Sequence, residues 1–92
     1  MYIRVVRGRI HPAKYDELVG LAPAMRAAIT RLPGCQSYQS GGDRTAGATI
    51  AVSTWDTEEH ARFSGDALGD FIRQVQALGI QLEPPDIYES ID

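Results

Sequence analysis

Thr49–Phe63, TIAVSTWDTEEHARF, changes from a strand pattern to a helix pattern within a few residues. Its first six residues are rich in β-branched side chains, which favour an extended backbone. Asp56 stands where a helix N-cap is expected, and Glu59 follows at the spacing of a capping box, with Thr57 as a competing cap one residue later. The stretch therefore predicts a strand-to-helix corner that holds Trp55, the only tryptophan of the chain, with any small-molecule pocket beside it.

Length and composition predict one small globular domain over residues 1–92. Hydrophobic residues make up 43% of the chain and charged residues 23%, which is typical of an ordinary soluble protein. The formal charge of −3 provides no basic surface for nucleic acid, and no apolar run approaches the roughly 20 residues of a membrane span. The single cysteine, Cys35, excludes an internal disulfide and agrees with a cytoplasmic location.

Strand and helix patterns follow one another along the whole chain. Pro23 interrupts the first helix and predicts either a kink near it or two short helices in line. Asp66 is expected to cap the second long helix, in which apolar residues recur from Leu68 to Leu78 at helical spacing, and Gly79 is expected to end it in a left-handed conformation. Strands are predicted over residues 2–10, 35–40, 48–54 and 86–91, a brief extension over 80–82, a hairpin loop over 41–47, and helices over 12–32, 57–63 and 66–78.

This order of elements predicts an α+β fold of the ferredoxin-like βαββαβ type, a four-stranded antiparallel sheet with helices on one face. Because the strands carry apolar side chains on both faces, we expect a second copy to cover the open face and form a homodimer. Arg4, Arg7 and Arg9 of the first strand are expected to pair with acidic residues across that dimer, with an acidic ligand as the alternative.

Three runs of the chain resemble one known family, the antibiotic biosynthesis monooxygenase (ABM) superfamily of dimeric α+β barrels. The runs are PGCQSY at Pro33–Tyr38, VSTWDTEEHARF at Val52–Phe63 and GIQLEPPDIYE at Gly79–Glu89. The superfamily includes cofactor-free monooxygenases that form quinones, haem-degrading enzymes and dimers of no known activity. The resemblance implies a ligand pocket within each subunit, between sheet and helices and beside the corner.

Two departures from the family pattern narrow what the resemblance implies. Many members have a glutamate two residues before the corner tryptophan, where this chain has Ser53. The haem-degrading branch combines an asparagine with a tryptophan and a histidine, and this chain contains no asparagine. Haem degradation by the usual arrangement is therefore disfavoured, and haem binding without degradation is kept as a weaker alternative.

Six side chains are candidates for a site beside the corner, and each also has a structural interpretation. A histidine titrates near neutrality and suits a general base, while aromatic rings stack on flat ligands. A corner tryptophan is also a common packing anchor, and tyrosines are common on half-buried faces. No metal-ligand spacing is present. The candidates are His60 and Tyr38 as catalytic residues, and Trp55, Phe63, Phe71 and Tyr15 as substrate-binding residues.

The resemblance implies a cofactor-independent monooxygenase of the ABM type, acting on a small aromatic or polyketide-like compound without a metal or bound cofactor. The protein would supply a dry pocket, orientation of the substrate and a base or hydrogen-bond donor. The alternative is a non-catalytic homodimer that binds a small apolar metabolite or acts as an accessory protein in stress response or biosynthesis.

Overall fold

The computed structural model describes all residues, Met1–Asp92, and confirms an α+β fold with an antiparallel sheet and helices on one face. Short 3₁₀ turns at Pro12–Lys14 and Gly65–Leu68 precede the two longer helices. None of the helices combines the length and apolar character that crossing a bilayer requires. The elements are β1 Tyr2–Arg9, α1 Tyr15–Thr30, β2 Cys35–Asp43, β3 Ala48–Trp55, α2 Glu58–Ala61, α3 Phe71–Ala77, β4 Gln81–Leu82 and β5 Asp86–Glu89.

The sheet has five strands, and the prediction of four is wrong in this respect. Its order is β2-β3-β1, and both β4 and β5 pair antiparallel with the remaining edge of β1. Pro84 and Pro85 lie between β4 and β5. Proline has no N–H to donate to a ladder, so the fourth position of the sheet is filled by two short strands in succession.

The first helix is continuous through Pro23, so the alternative of two helices in line is wrong. The proline lies on the exposed side of α1, away from the sheet. The carbonyl that loses its partner is that of Val19, whose residue is 49% exposed and can be solvated instead. The opposite side of α1 packs on the sheet through residues such as Met25 and the buried Ile29.

The β2–β3 hairpin is longer than predicted. Gly41 and Gly42, which were expected in the loop, belong to β2 and pair with β3. The Asp43 carboxylate accepts hydrogen bonds from the backbone N–H groups two and three residues later, at 3.0 and 3.1 Å. This local turn holds the loop to four residues and lets pairing continue up to Asp43.

The helix predicted over residues 66–78 is divided in the structure into a 3₁₀ turn and α3. Gly69 has φ 64°, so the segment starts as a 3₁₀ turn and α3 begins only at Phe71. Asp66 lies inside the 3₁₀ turn and its side chain caps no helix, so that prediction is wrong. Gly79, at φ 74°, follows α3 in the left-handed conformation, as predicted.

The core lies under the strand-to-helix corner. Its buried cluster consists of Ile29, Tyr38, Trp55 and Ala61, which joins α1, β2, β3 and α2. Only 9 of the 92 residues are buried, so the core is small and most packing depends on half-buried side chains.

Gly34, just before β2, occupies a position that a side chain cannot share. Its φ is 81°, and a Cβ atom there would overlap the Asp56 carboxylate and the His60 imidazole. We expect Gly34→Ala to lower the free energy of unfolding by about 1–3 kcal/mol in urea denaturation. Gly20→Ala is the control, because its Cβ would contact nothing within 4 Å and alanine in α1 is expected to be neutral or stabilising by up to about 1 kcal/mol. Equal effects of the two substitutions would contradict this account.

Candidate functional site

The strand-to-helix corner is capped by Thr57 and not by Asp56. The Oγ1 atom of Thr57 accepts a hydrogen bond from the backbone N–H of His60 at 3.1 Å, so the competing cap is confirmed. The Asp56 carboxylate is instead 2.7 Å from Nδ1 of His60. The predicted capping box is therefore wrong. It required Asp56 as the N-cap for Glu59 to lie three residues later, and the helix begins one residue further along the chain.

Trp55 is fully buried behind the corner. Its Nε1–H donates to Oγ of Ser53 at 2.8 Å, and its ring centroid is 5.1 Å from that of Phe63. A buried indole N–H needs such a partner, and here a neighbouring strand hydroxyl provides it. The structure thus places Trp55 as a packing residue that supports Phe63, and its ring is not part of the lining described next.

A cavity of about 450 Å³ lies between the sheet and the helices α1 and α3. Of its 23 lining residues, 17 are hydrophobic, which is the character of small-molecule sites. Val19 and Leu82, at 49% and 48% exposure, are also part of the lining. The cavity therefore reaches the surface between α1 and β4, and its volume suits a ligand of two or three fused rings.

Strand register places the polar groups of the cavity in one row. Arg4 of β1 lies opposite Ser53 of β3, and Ser53 lies opposite Tyr38 of β2. Neighbouring strands are about 4.8 Å apart, so the three side chains stand side by side on the helix-covered face. The next row toward the mouth carries the small apolar side chains of Val6 and Ala51 and the hydroxyl of Ser40, which lies opposite Ala51 on β2. The inner end of the cavity is therefore polar, and its middle is apolar except for the Ser40 hydroxyl.

Arg4 is the one charged side chain in the cavity lining. Its Nη1 donates to the backbone carbonyls of Ala61 at 2.8 Å and Phe63 at 3.3 Å, and its guanidinium carbon is 4.0 Å from the Phe63 ring centroid. Burial lowers the pKa of Arg4, and no carboxylate is close enough to form an ion pair with it. Arg7 does form an ion pair, at 3.0 Å, but with Asp86 of the same chain. Arg7 therefore has an acidic partner within its own chain, and the pairing of the β1 arginines across a dimer stays a prediction.

Tyr38 and Tyr15 line opposite ends of the cavity. Tyr38 is buried in the inner row, with the Arg26 guanidinium carbon 5.7 Å from its ring centroid. Burial raises the pKa of Tyr38, so its hydroxyl is protonated at neutral pH and can donate a hydrogen bond. Tyr15 lies at the outer end, where its ring is 4.7 Å from the Arg44 guanidinium carbon and its hydroxyl fills the space beside Gly42.

The structure brings three of the six candidate residues, Tyr15, Tyr38 and Phe63, together around the cavity. Trp55 lies behind the cavity, and His60 and Phe71 are not among its lining residues. The His60 side chain is 40% exposed and bonded to Asp56 on the outer side of the corner. No three histidine, cysteine, aspartate or glutamate side chains lie together in an arrangement that could hold a metal ion.

Sequence reasoning did not place Arg4 or Ser53 in the cavity, although it gave an acidic ligand as the alternative partner of the β1 arginines. The available signal was the alternation of β1, in which Arg4 shares a face with the apolar Tyr2 and Val6. An arginine on an apolar strand face is unusual unless that face binds a polar ligand or provides the arginine with a hydrogen-bonding or ion-pair partner. The position of Ser53 beside it follows from strand register, which the sequence does not reveal.

No protein-family model and no curated protein matches this sequence. Solved structures do match. A Deinococcus radiodurans protein, provisionally described as an antibiotic biosynthesis monooxygenase, has 19% identity and a TM-score of 0.78 over 100% of this chain and 94% of its own. A Nitrosomonas europaea protein with the same provisional description has 11% identity and a TM-score of 0.78 over both full chains. SnoaB, a cofactor-independent oxygenase from Streptomyces nogalater, has 18% identity and a TM-score of 0.66 over 99% of this chain and 93% of its own. The family resemblance is confirmed at the level of the fold.

The Asp56–His60 pair makes stability depend on pH at the acidic end. The hydrogen bond from His60 lowers the pKa of Asp56 below its ordinary value of 3.8. A lowered pKa in the folded state means that the pair stabilises the fold above the unfolded-state pKa, and that this stabilisation is lost as pH falls through the folded-state pKa. We therefore expect Asp56→Asn to flatten the decline of the unfolding free energy below about pH 4, as measured by urea denaturation at several pH values.

The control for this measurement is Asp66→Asn, which removes an exposed carboxylate that forms no ion pair. It is expected to leave the acidic decline unchanged. If the two variants show the same pH dependence, the Asp56–His60 contact does not contribute.

Proposed function

We propose that the chain is a member of the ABM superfamily and a cofactor-independent monooxygenase that acts on a small aromatic or polyketide-like compound. The observation that carries this proposal is the mainly apolar cavity of about 450 Å³, which lies between the sheet and helices of a single chain and has its one charged side chain at the inner end. The shared fold with SnoaB, itself a cofactor-independent oxygenase, supports the same kind of chemistry.

The proposed reaction needs no reductant other than the substrate. A deprotonated phenol or enol donates an electron to dioxygen, and the resulting radicals combine to a peroxide anion on a ring carbon that bears a hydrogen. The peroxide takes up a proton from water and becomes a hydroperoxide. Loss of water then leaves a carbonyl, so one oxygen atom enters the product and the other leaves as water. A dry and shaped cavity serves this reaction because it orients the ring and protects the intermediates.

The lining residues take part according to their positions. Phe63 and Tyr15 would contact the rings of the substrate, and the protonated hydroxyl of Tyr38 would donate a hydrogen bond to a substrate oxygen. Trp55 would act through Phe63, which it supports from behind. His60 lies outside the lining and is bonded to Asp56, so direct contact with substrate is not proposed for it.

Oxygen uptake tests the proposal directly. We expect the purified protein to consume oxygen with dihydroxynaphthalenes or related polycyclic phenols, without added metal, flavin or nicotinamide. Tyr38→Phe is expected to lower kcat/KM about 10- to 100-fold, because it removes a hydrogen bond to a charged substrate oxygen. Tyr2→Phe is the matched control, since Tyr2 packs against the core outside the cavity lining. No uptake across a broad panel of such phenols would contradict the proposal.

A second candidate function is binding of a small apolar metabolite without turnover. It is favoured by one specific observation: no carboxylate, imidazole or thiol lines the cavity, so no side chain there titrates near neutrality as a conventional base. Tight ligand binding without oxygen uptake would support this candidate over the first.

A homodimer is part of the proposal, formed by a second copy on the open face of the sheet. Ile50 and Tyr88 on that face are 40% and 53% exposed, and Ile3, Val5 and Val52 beside them are only half buried. Such a continuous apolar strip is costly to leave in water and is typical of a subunit interface.

Sedimentation analysis tests the dimer. We expect the wild-type protein to sediment as a dimer at micromolar concentration, and Val52→Lys to sediment as a monomer because it places a charge at the centre of the apolar strip. Gln74→Lys, on the exposed side of α3, adds the same charge elsewhere and is expected to remain dimeric. A monomeric wild-type protein would contradict the proposal.

A further inference from the structure

We infer that the ligand of this cavity carries an acidic phenol or enol oxygen, which binds as an oxyanion to the guanidinium of Arg4. This inference rests on the proposed function and deepens it, because it names the substrate class and the residue that selects it. It also selects, for Arg4, the acidic ligand that the sequence analysis gave only as the alternative to ion pairing.

Arg4 has hydrogen-bonding capacity that the protein leaves unused. Nη1 is occupied by the carbonyls of Ala61 and Phe63, whereas Nε and Nη2 donate to no protein atom. No buried side-chain nitrogen or oxygen in the structure lacks a partner, so these two groups must reach accessible space. Arg4 lines the cavity, and in the proposed complex these two groups face its inner end.

The charge of Arg4 is also unbalanced. An arginine side chain stays protonated near neutrality and cannot neutralise itself as a lysine or histidine can. Burial lowers the pKa of Arg4, which shows that its surroundings disfavour the cation and supply no compensating acid. A half-buried cation without an anionic partner is costly, and a bound anion would offset that cost.

The rest of the lining favours an anion over a second cation. The other titratable lining residues are Tyr15 and Tyr38, and no aspartate, glutamate, lysine or histidine faces Arg4 within the cavity. Tyr38 and Ser53 stand in the same row as Arg4 and both carry hydroxyl groups. The inner end therefore offers one positive charge flanked by hydroxyl donors, in a protein whose overall charge is −3.

The geometry gives the ligand a direction. Leu82 at the mouth pairs with Gly8, four residues along β1 from Arg4. At about 3.3 Å per residue, the mouth and the polar row that contains Arg4 are about 13 Å apart along β1. A flat ligand of two or three rings spans this distance with its oxyanion at Arg4 and its apolar end toward Leu82.

This arrangement also explains how a substrate could be activated where no base lines the cavity. Preferential binding of the ionised form lowers the pKa of the ligand, and the proton is released to solvent as the ligand binds. The ionised phenol or enol is the electron-rich form from which dioxygen can accept an electron. Arg4 then contributes by stabilising the reactive form and takes up no proton itself.

Binding of umbelliferone tests the inference. Umbelliferone is a planar two-ring phenol whose neutral and ionised forms absorb at different wavelengths, and its O-methyl ether cannot ionise. With the purified protein in excess, we expect the apparent pKa of bound umbelliferone to fall by at least about one unit below that of the free compound, which corresponds to at least tenfold tighter binding of the phenolate than of the phenol. The methyl ether is expected to bind at least about tenfold more weakly than the phenolate.

Two variants separate the charge of Arg4 from the integrity of the cavity. Arg4→Met is expected to abolish the pKa shift of umbelliferone while still binding the methyl ether, which shows that the cavity has formed. Ser53→Asp keeps Arg4 but places a carboxylate directly opposite it, so it is also expected to abolish the shift, whereas the uncharged Ser53→Asn is expected to retain most of it.

The inference is overturned if bound umbelliferone keeps its free pKa, if Arg4→Met shifts it as much as the wild type does, or if the wild type binds neither compound. Oxygen uptake is not a readout of this experiment. A protein that binds the phenolate at Arg4 but never consumes oxygen would therefore refute the proposed reaction while supporting the anion site.

Discussion

Burial of the Trp55 indole is the constraint on which the rest of the structure depends. Its ring has no exposed surface, and its only polar atom is satisfied by the hydroxyl of Ser53 two residues earlier on the same strand. Phe63 packs against the ring from the chain beyond α2 and in turn supports the Arg4 guanidinium. One buried side chain therefore joins the core, the corner and the polar end of the cavity. A substitution of Trp55 would disturb the packing of all three.

The fold could be predicted from the sequence because its main signals are local. Alternating β-branched residues, the apolar periodicity of the helices and the left-handed Gly79 each depend on a few neighbouring residues. The errors arose where local signals compete. Asp56 and Thr57 are both good N-caps, and the choice between them is made by the end of β3, where the backbone N–H of Asp56 is bonded to the carbonyl of Gly34 at 3.0 Å.

The site could be predicted only in part, because strand register determines which side chains meet. Tyr15 and Tyr38 were found from residue type alone, and Phe63 from its place in the corner stretch. For Arg4, ion pairing was favoured over an acidic ligand, because nothing near it in sequence shows that Ser53 stands opposite it instead of a carboxylate. The row of Arg4, Ser53 and Tyr38 is formed by three strands that are far apart in sequence. The residues opposite Arg4 decide whether it has an acidic partner within the chain.

The split of the outer strand at Pro84 and Pro85 has a consequence for solubility during synthesis and storage. A sheet edge with a long run of free N–H and C=O groups recruits strands from other molecules and starts aggregates. Here that edge offers only two residues in β4 and four in β5, separated by three residues of which two are prolines. The opposite edge, β2, is longer, but most of its side chains are polar or absent. The chain thus discourages uncontrolled growth along its edges.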